Sequence, residues 1–283
     1  MKKINWKNVY LWVMFIFLYA PIFYLIFYAF NSGETMNKFE GFSWVHFQEL
    51  FADTRLLIIL LETFILAFLS ALIATMIGTF GAISIYRYQK RRTRLALLSL
   101  NNILIVSPDV IIGASFLILF TLLGSWIHSL SLGFASVLLS HIAFSIPIVV
   151  LMVLPKLQEM QDSLTMAAYD LGANHWQVLT NVVLPYLTPG IIAGYFMAFT
   201  YSLDDFAVTF FVTGNGFTTL SVEIYSRARR GVSLEINALS ALVFLFSLVL
   251  VIGYYFISRD NSANHRRQGK QVRKEVLRWW KSY

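Results

Sequence analysis

Long apolar segments alternate with short polar segments along most of the 283-residue chain. A transmembrane helix needs about 20 mostly apolar residues, because a helix rises about 1.5 Å per residue and the hydrocarbon core is about 30 Å thick. Six segments meet this requirement, so the pattern predicts an all-α integral membrane protein with six transmembrane helices. The predicted spans are 9–30, 56–86, 95–123, 133–154, 190–213 and 236–257.

The composition agrees with a membrane location. Hydrophobic residues make up 58% of the chain and charged residues 13%, against roughly 25% charged residues in a typical soluble domain. These values exclude a water-soluble globule and a disordered chain. Cysteine is absent, which excludes a disulfide framework, a thiolate nucleophile and a cysteine-ligated metal centre.

The distribution of lysine and arginine predicts the orientation. With the N-terminus inside, 17 of the 22 basic residues fall in the N-terminal segment, segment 87–94, loop 155–189 and the C-terminal tail. The positive-inside rule therefore predicts that both termini are cytoplasmic. Residues 1–260 would form the transmembrane domain, and 261–283 a basic cytoplasmic tail. Because topology accounts for the net charge of +7, no nucleic-acid partner is expected.

Loop 155–189 contains a short amphipathic helix. Leu164, Ala167, Ala168 and Leu171 follow the i, i+3, i+4, i+7 spacing of one helix face. Gly172 comes next, and a glycine at this place is typical of a left-handed cap that ends a helix.

A second helix is expected directly after this glycine. Asn174 would cap it, and Pro185 and Pro189 would end it. Its apolar face would consist of Trp176, Leu179, Val182 and Val183. The resulting helix–glycine–helix element lies between two spans and needs a surface that covers its apolar face. Two interpretations stay open from the pattern: the loop packs on its own protein at the membrane interface, or it docks on a partner.

The same loop resembles a known motif. The order Met166-Ala167-Ala168, three residues, Gly172, nine residues, then Val182-x-Leu184-Pro185 resembles the EAA motif of permease subunits of ABC importers, in which position 166 would be glutamate. The resemblance implies the type I permease fold and a coupling helix that docks on a cytoplasmic ATPase. The coupling residues that it implies are Met166, Ala167, Ala168, Asp170, Gly172, Ala173, Leu184 and Pro185.

Further segments resemble one branch of this family, the permease subunits of spermidine/putrescine importers. They are residues 107–111, 200–206, 211–214, 223–226 and 231–238. The resemblance implies polyamine import by alternating access, in a multi-pass protein of the bacterial plasma membrane. It also implies three partners: a homologous second permease, an ATPase dimer that uses ATP and Mg²⁺, and an extracytoplasmic substrate-binding protein. No catalytic residue, metal site or cofactor is expected in this chain.

Three arginines depart from the charge pattern because they fall outside. Arg227, Arg229 and Arg230 lie in loop 214–235, which would face the binding protein. They are candidates for docking acidic patches of that protein. The alternative is a loop helix whose arginines pair with Glu223 and Glu235.

Four acids and one histidine lie inside the predicted spans, which contain no lysine or arginine. An acid at the bilayer centre costs about 2.5–3.5 kcal/mol, so each is a candidate functional group. Glu62 lies near the outer end of its span and is expected to reach the interface. His141 is expected to be a core histidine with satisfied hydrogen bonds.

The remaining acids are the candidate substrate pathway. Asp204 and Asp205 are neighbours and would point about 100° apart on a helix, so one is expected to face the pathway and the other a neighbouring helix or subunit. Asp109 and Tyr201 complete the set. For Asp109 a structural role is equally open, because Ser107 and the proline after it form a helix-capping signature.

Other functions remain to be distinguished. The chain has no GxxxxGK[ST] phosphate loop, so it is not expected to be the ATPase. The alternatives are an ABC permease for another small solute, a proton-coupled secondary transporter with the three aspartates as relay, and a membrane subunit without transport activity. The secondary transporter leaves the helix–glycine–helix loop without a role.

Overall fold

In the computed structural model, all of the long secondary-structure elements are helices. It describes residues 6–127, 131–214, 216–230, 234–249 and 252. In chain order the helices are α1 (Trp6–Ala29), α2 (Val45–Ala52), α3 (Thr54–Arg87), α4 (Arg91–Val106), α5 (Asp109–Gly124), α6 (Phe134–Glu159), α7 (Asp162–Asp170), α8 (His175–Val178), a π-helical turn (Leu179–Val183), α9 (Leu184–Asp204), α10 (Ala207–Val212), α11 (Leu220–Arg230) and α12 (Leu234–Val249).

Within the described residues, four helical stretches are long and apolar enough to cross a membrane: Asn8–Ala29, α3, α6 and His175–Asp204. Together α4 and α5 qualify as a fifth, although they meet at an angle of 101°. The prediction of an all-α membrane protein is confirmed. The six-span count and the cytoplasmic termini stay predictions, since α12 is a shorter apolar helix. The end of the predicted span 236–257 and the tail 261–283 lie outside the described residues.

Residues 54–230 form one compact unit, whose core is built by α3, α6 and α9. Glycines bring these helices into close contact. An ideal Cβ at Gly78 of α3 would lie 2.7 Å from the Val149 Cβ of α6, and one at Gly194 of α9 would lie 3.2 Å from the Val149 Cγ1. Such contacts suit a membrane interior, where association depends on van der Waals packing between small residues.

The helix His175–Asp204 is continuous but contains an irregular turn. Pro185 and Pro189 do not end the helix that begins at His175, which was the expectation, because the helix runs on to Asp204. The π-helical turn supplies the reason: the Leu184 N–H bonds to the Leu179 carbonyl, so the backbone is already rearranged where Pro185 lacks an N–H. Local π adjustment is a known way for membrane helices to accept proline.

Two predicted spans are broken. Span 95–123 breaks at Ser107 and Pro108, which are both extended, because a residue before proline disfavours the helical conformation. The expected cap is wrong in detail: the Ser107 hydroxyl donates to the Ile103 carbonyl of α4, and α5 has no side-chain cap. Span 190–213 breaks at Asp205, which is also extended, between α9 and α10.

The second compact unit joins residues 6–53 with the region after residue 230. Its loop after α1 is organised by Asn31, which is fully buried. The Asn31 amide donates to the carbonyls of Thr35 and Lys38 at 3.1 and 3.0 Å. Its carbonyl accepts from the Glu40 N–H at 2.8 Å. One side chain therefore holds together a loop without regular secondary structure.

The packing of α3 generates a test. Gly78→Ala is expected to cost about 1–3 kcal/mol of stability, because the new methyl group overlaps Val149. Gly81→Ala is the matched control on the same helix, since its nearest neighbour is 3.9 Å away. Thermal unfolding in detergent should show a lowered midpoint for Gly78→Ala alone. Equal midpoints for both variants would contradict the close α3–α6 contact.

Candidate functional site

Asp109 and Tyr201 meet although 92 positions separate them. Asp109 is the first residue of α5, where its negative charge favours the positive end of the helix. The Tyr201 hydroxyl donates to the Asp109 Oδ1 at 3.1 Å, and the Tyr201 ring packs edge-on against Phe144. Asp109 and Tyr201 are both exposed at the surface of this chain. The structure thus places them together at the break between α4 and α5.

The two adjacent aspartates have different surroundings, as expected. Asp204 ends α9 and is exposed. The Asp205 side chain is only 7% exposed. It accepts hydrogen bonds from the Thr209 N–H and hydroxyl, both at 2.8 Å, and from the Val208 N–H at 3.3 Å. Asp205 therefore caps α10, and Asp204 is the carboxylate that remains accessible.

His141 lies in the fully buried core beside Asp205. Its Nδ1 is 2.7 Å from the Ser202 Oγ and its Nε2 is 2.8 Å from the Thr209 Oγ1. The same Nε2 lies 3.5 Å from the Asp205 Oδ2. Ser202 in turn contacts the Ser70 Oγ of α3 at 2.8 Å. The prediction of a satisfied core histidine is confirmed, and its environment is a network that joins α3, α6, α9 and α10.

Sequence reasoning missed the hydroxyl members of this network. Ser70, Ser202 and Thr209 are buried polar residues within apolar segments, and that position was the available signal. A serine or threonine in a span commonly bonds to its own helix, so the sequence alone does not indicate a contact between helices. Glu62, the remaining acid of the predicted spans, is half-buried near the start of α3. That it reaches the membrane interface stays a prediction.

The loop that carries the EAA-like motif has the expected helix–glycine–helix structure. Gly172 has a φ of +86°, and it ends α7 in a Schellman motif. The Gly172 N–H bonds to the Tyr169 carbonyl at 2.9 Å, and the Ala173 N–H bonds to the Ala168 carbonyl at 3.0 Å. Asn174 caps α8 through a reciprocal pair of bonds with Gln177 at 2.9 Å. The predicted roles of Gly172 and Asn174 in the turn are confirmed.

This loop is buried on one side only. Ala168 and Ala173 pack against the core cluster of α3, α6 and α9. Met166, Leu171 and Trp176 are 63%, 89% and 68% exposed. The other candidate coupling residues vary in burial: Ala167, Asp170 and Pro185 are exposed, and Leu184 is half-buried.

The exposure of Trp176 corrects its placement on the apolar face of the second helix. Val178 is fully buried in its place. A hydrogen bond also connects the two sides of the turn: the Tyr169 hydroxyl lies 2.7 Å from the His175 Nδ1.

The arginines of α11 have internal contacts. The Arg227 Nε donates to the Glu223 Oε1 at 2.8 Å, and the Arg55 Nη2 donates to the Glu223 Oε2 at 3.4 Å. Arg229 lies over the Tyr225 ring, 5.8 Å from its centroid. The alternative of pairing with Glu223 thus holds for Arg227. The Arg230 side chain lies outside what the structure describes.

Metal ligands do not come together in the described ranges. No group of three or more histidine, aspartate or glutamate side chains there could hold a metal ion. The candidate site is therefore a set of carboxylates and a phenol at two helix breaks, together with a partly exposed loop.

Comparison with known proteins gives consistent matches. Residues 74–261 match the family described as "Binding-protein-dependent transport system inner membrane component". The chain is 34% identical to the spermidine/putrescine transport system permease protein PotC of Haemophilus influenzae over 93% of this chain and 100% of that protein. It is also 34% identical to the putrescine transport system permease protein PotI of Escherichia coli K12, over 90% of this chain and 91% of that protein.

The fold has a solved counterpart. A chain of a bacterial ABC transporter involved in the import of the acidic polysaccharide alginate superposes with a TM-score of 0.69 at 20% identity. The match covers 90% of this chain and 98% of that chain, which identifies the type I ABC permease fold. This chain therefore belongs to the inner-membrane permease components of binding-protein-dependent transport systems and is a multi-pass protein of the bacterial plasma membrane.

Proposed function

We propose that this chain is one of two permease subunits of an ATP-driven importer for polyamines such as spermidine and putrescine. The observation that carries the proposal is the meeting of Asp109 and Tyr201 on the side of α9 that also carries the exposed Asp204. The relatives PotC and PotI are named for polyamine transport, and an acidic site in an apolar protein suits a polycation.

The geometry supports a pathway with two carboxylates. Tyr201 and Asp204 are three residues apart on α9, so their side chains lie on neighbouring parts of one helix face. The Tyr201 hydroxyl also bonds to Asp109, so Asp109 lies beside the part of α9 that carries Tyr201. An extended polyamine carries several ammonium groups, which the carboxylates would attract. The Tyr201 ring would bind an ammonium group through a cation–π contact.

The helix breaks favour the same role. Irregular backbone at membrane depth is tolerated where it is buried or lines a cavity. Asp204 is at the C-terminal end of α9, where the helix dipole and free carbonyls add to the attraction for a cation. Asp205 is excluded from direct contact with the substrate in this proposal, because its oxygens already cap α10.

The loop around Gly172 would transmit motion from the partner ATPase, which holds ATP and Mg²⁺. Its exposed Met166, Leu171 and Trp176 form an apolar surface that a groove of the ATPase would cover, as a helix-in-groove contact does. The second permease would complete the pathway. The extracytoplasmic binding protein would deliver the substrate near α11, where Arg229 carries exposed charge.

Uptake of labelled spermidine and putrescine tests this function. The complex of this chain with its second permease, ATPase and binding protein would be reconstituted in liposomes. We expect uptake that requires ATP and Mg²⁺ inside and the binding protein outside. Uptake that follows a proton gradient without ATP would indicate a secondary transporter, and ATP-dependent uptake of another solute alone would reject the polyamine.

The acidic pathway predicts a charge effect. Asp204→Asn and Asp109→Asn should each raise the KM for spermidine by at least about tenfold, because each removes a charge-assisted contact worth about 1.5–3 kcal/mol. Glu62→Gln is the matched control, since it removes an acid from a span without touching the site. The amount of assembled complex should stay constant. Normal transport by both aspartate variants would reject the acidic pathway.

The Gly172 turn predicts a coupling effect. Gly172→Val should uncouple ATP hydrolysis from uptake, because a β-branched residue strongly disfavours a φ of +86°. Gly172→Asn should retain more coupling, since asparagine adopts left-handed conformations more readily. The space around this position is open, so the difference reports backbone conformation. The ratio of solute transported to ATP hydrolysed measures it, and an unchanged ratio in Gly172→Val would contradict the docking role.

A further inference from the structure

The buried network around His141 has no part in the pathway proposed above, yet it touches the residue next to Asp204. His141 is fully buried in α6. Through its Nε2 it reaches the Thr209 Oγ1 at 2.8 Å, and Thr209 in turn reaches the Asp205 Oδ2 at 2.8 Å. A histidine on one helix is thus connected to the carboxylate that caps another.

The direction of the hydrogen bonds follows from the number of protons available. The Asp205 oxygens accept from Thr209, so the single hydroxyl proton of Thr209 points to Asp205. The contact between Thr209 and His141 must then be donated by the imidazole, which places a proton on the Nε2 of His141. His141 therefore donates to Thr209, and Thr209 donates to Asp205.

The orientation of the imidazole is held from its other side. The Nδ1 of His141 contacts the Ser202 Oγ at 2.7 Å, and Ser202 contacts the Ser70 Oγ at 2.8 Å. Ser202 belongs to α9, two residues before Asp204, and Ser70 belongs to α3. The ring is consequently fixed against both helices that flank α6 in the core.

The cap on α10 determines where the chain leaves α9. With six residues, α10 is too short to be stable by its own hydrogen bonds, so it depends on Asp205 and on its packing against α5. That packing is close, because a Cβ at Gly113 of α5 would lie 2.7 Å from the Phe211 Cδ2. If Asp205 were released, the end of α9 next to Asp204 would lose this support.

We propose that His141 is a positioning residue for Asp204. Through Thr209 it holds Asp205 in its capping position, and this keeps the neighbouring Asp204 directed to the accessible side of α9. The inference rests on the proposed function, because Asp204 is there the contact for the polycation. His141 itself touches no substrate in this arrangement.

Substitutions at His141 separate positioning from mere packing. The amide nitrogen of glutamine reaches the place of the imidazole Nε2, whereas that of asparagine reaches the place of Nδ1. We expect His141→Gln to retain a KM for spermidine near that of the parent protein. His141→Leu and His141→Asn should raise this KM about tenfold with a smaller change in kcat, because they lose the donor to Thr209. Ser140→Ala is the matched control, since the Ser140 hydroxyl bonds within its own helix.

A double-mutant cycle tests the route through Asp204. In the Asp204→Asn background, His141→Leu should change the KM by less than about twofold, because the contact that it positions is already gone. A full additional tenfold loss would overturn the proposal, as would equal kinetics for His141→Gln and His141→Leu. Thr209→Val removes the intermediate hydroxyl with little change in shape, and it should also raise the KM. This second variant keeps the test available where His141→Leu fails to assemble.

The failure of this inference is distinguishable from the failure of the proposed function. If the parent complex takes up no spermidine with ATP, the proposed function is wrong. If the parent complex takes up spermidine and Asp204→Asn raises its KM, the function stands. An unchanged KM in both His141→Leu and Thr209→Val then rejects the positioning role alone.

Discussion

A helix that is interrupted inside an apolar layer must satisfy the backbone groups that the interruption frees, and this constraint shapes the compact unit of residues 54–230. At the break after Asp204, a charged side chain satisfies these backbone groups. Asp205 accepts from two N–H groups of α10, and its remaining interactions reach Thr209 and His141. A carboxylate that would be costly in hydrocarbon thus becomes a structural group, because donors surround it.

The rest of this unit supplies the rigidity that such a site needs. Gly78 and Gly194 let α3 and α9 approach Val149 of α6, so the three helices present fixed surfaces to the polar network. Hydroxyl groups then connect them at the level of His141. Close packing and hydrogen bonding act together here, since small side chains shorten the distances that the polar contacts must span.

Much of this arrangement was predictable from sequence, because its signals are local. Apolar length indicated the helices, and the spacing around Gly172 indicated a turn whose φ of +86° only glycine adopts at no cost. Different surroundings for Asp204 and Asp205 were expected, but the reason was wrong: Asp205 is extended at a helix break and bonds to α10, whereas the expectation placed both residues on one helix. Contacts such as Tyr201 with Asp109 join residues far apart in the chain, and no periodicity encodes them. The expectation that Pro185 ends a helix failed because a π-helical turn before it had already changed the hydrogen-bond register.

The continuous helix from His175 to Asp204 connects the two functional regions of the proposed importer. Its 30 residues correspond to roughly 45 Å at 1.5 Å per residue. One end follows the Gly172 turn, where the ATPase would dock, and the other end carries Asp204. A movement imposed on α7 would therefore reach the acidic site through a single element, without a chain of intermediate contacts. The π-helical turn and Pro185 lie in the half of this helix next to the loop, and Pro189 lies at its middle, so bending is expected there and not between Tyr201 and Asp204.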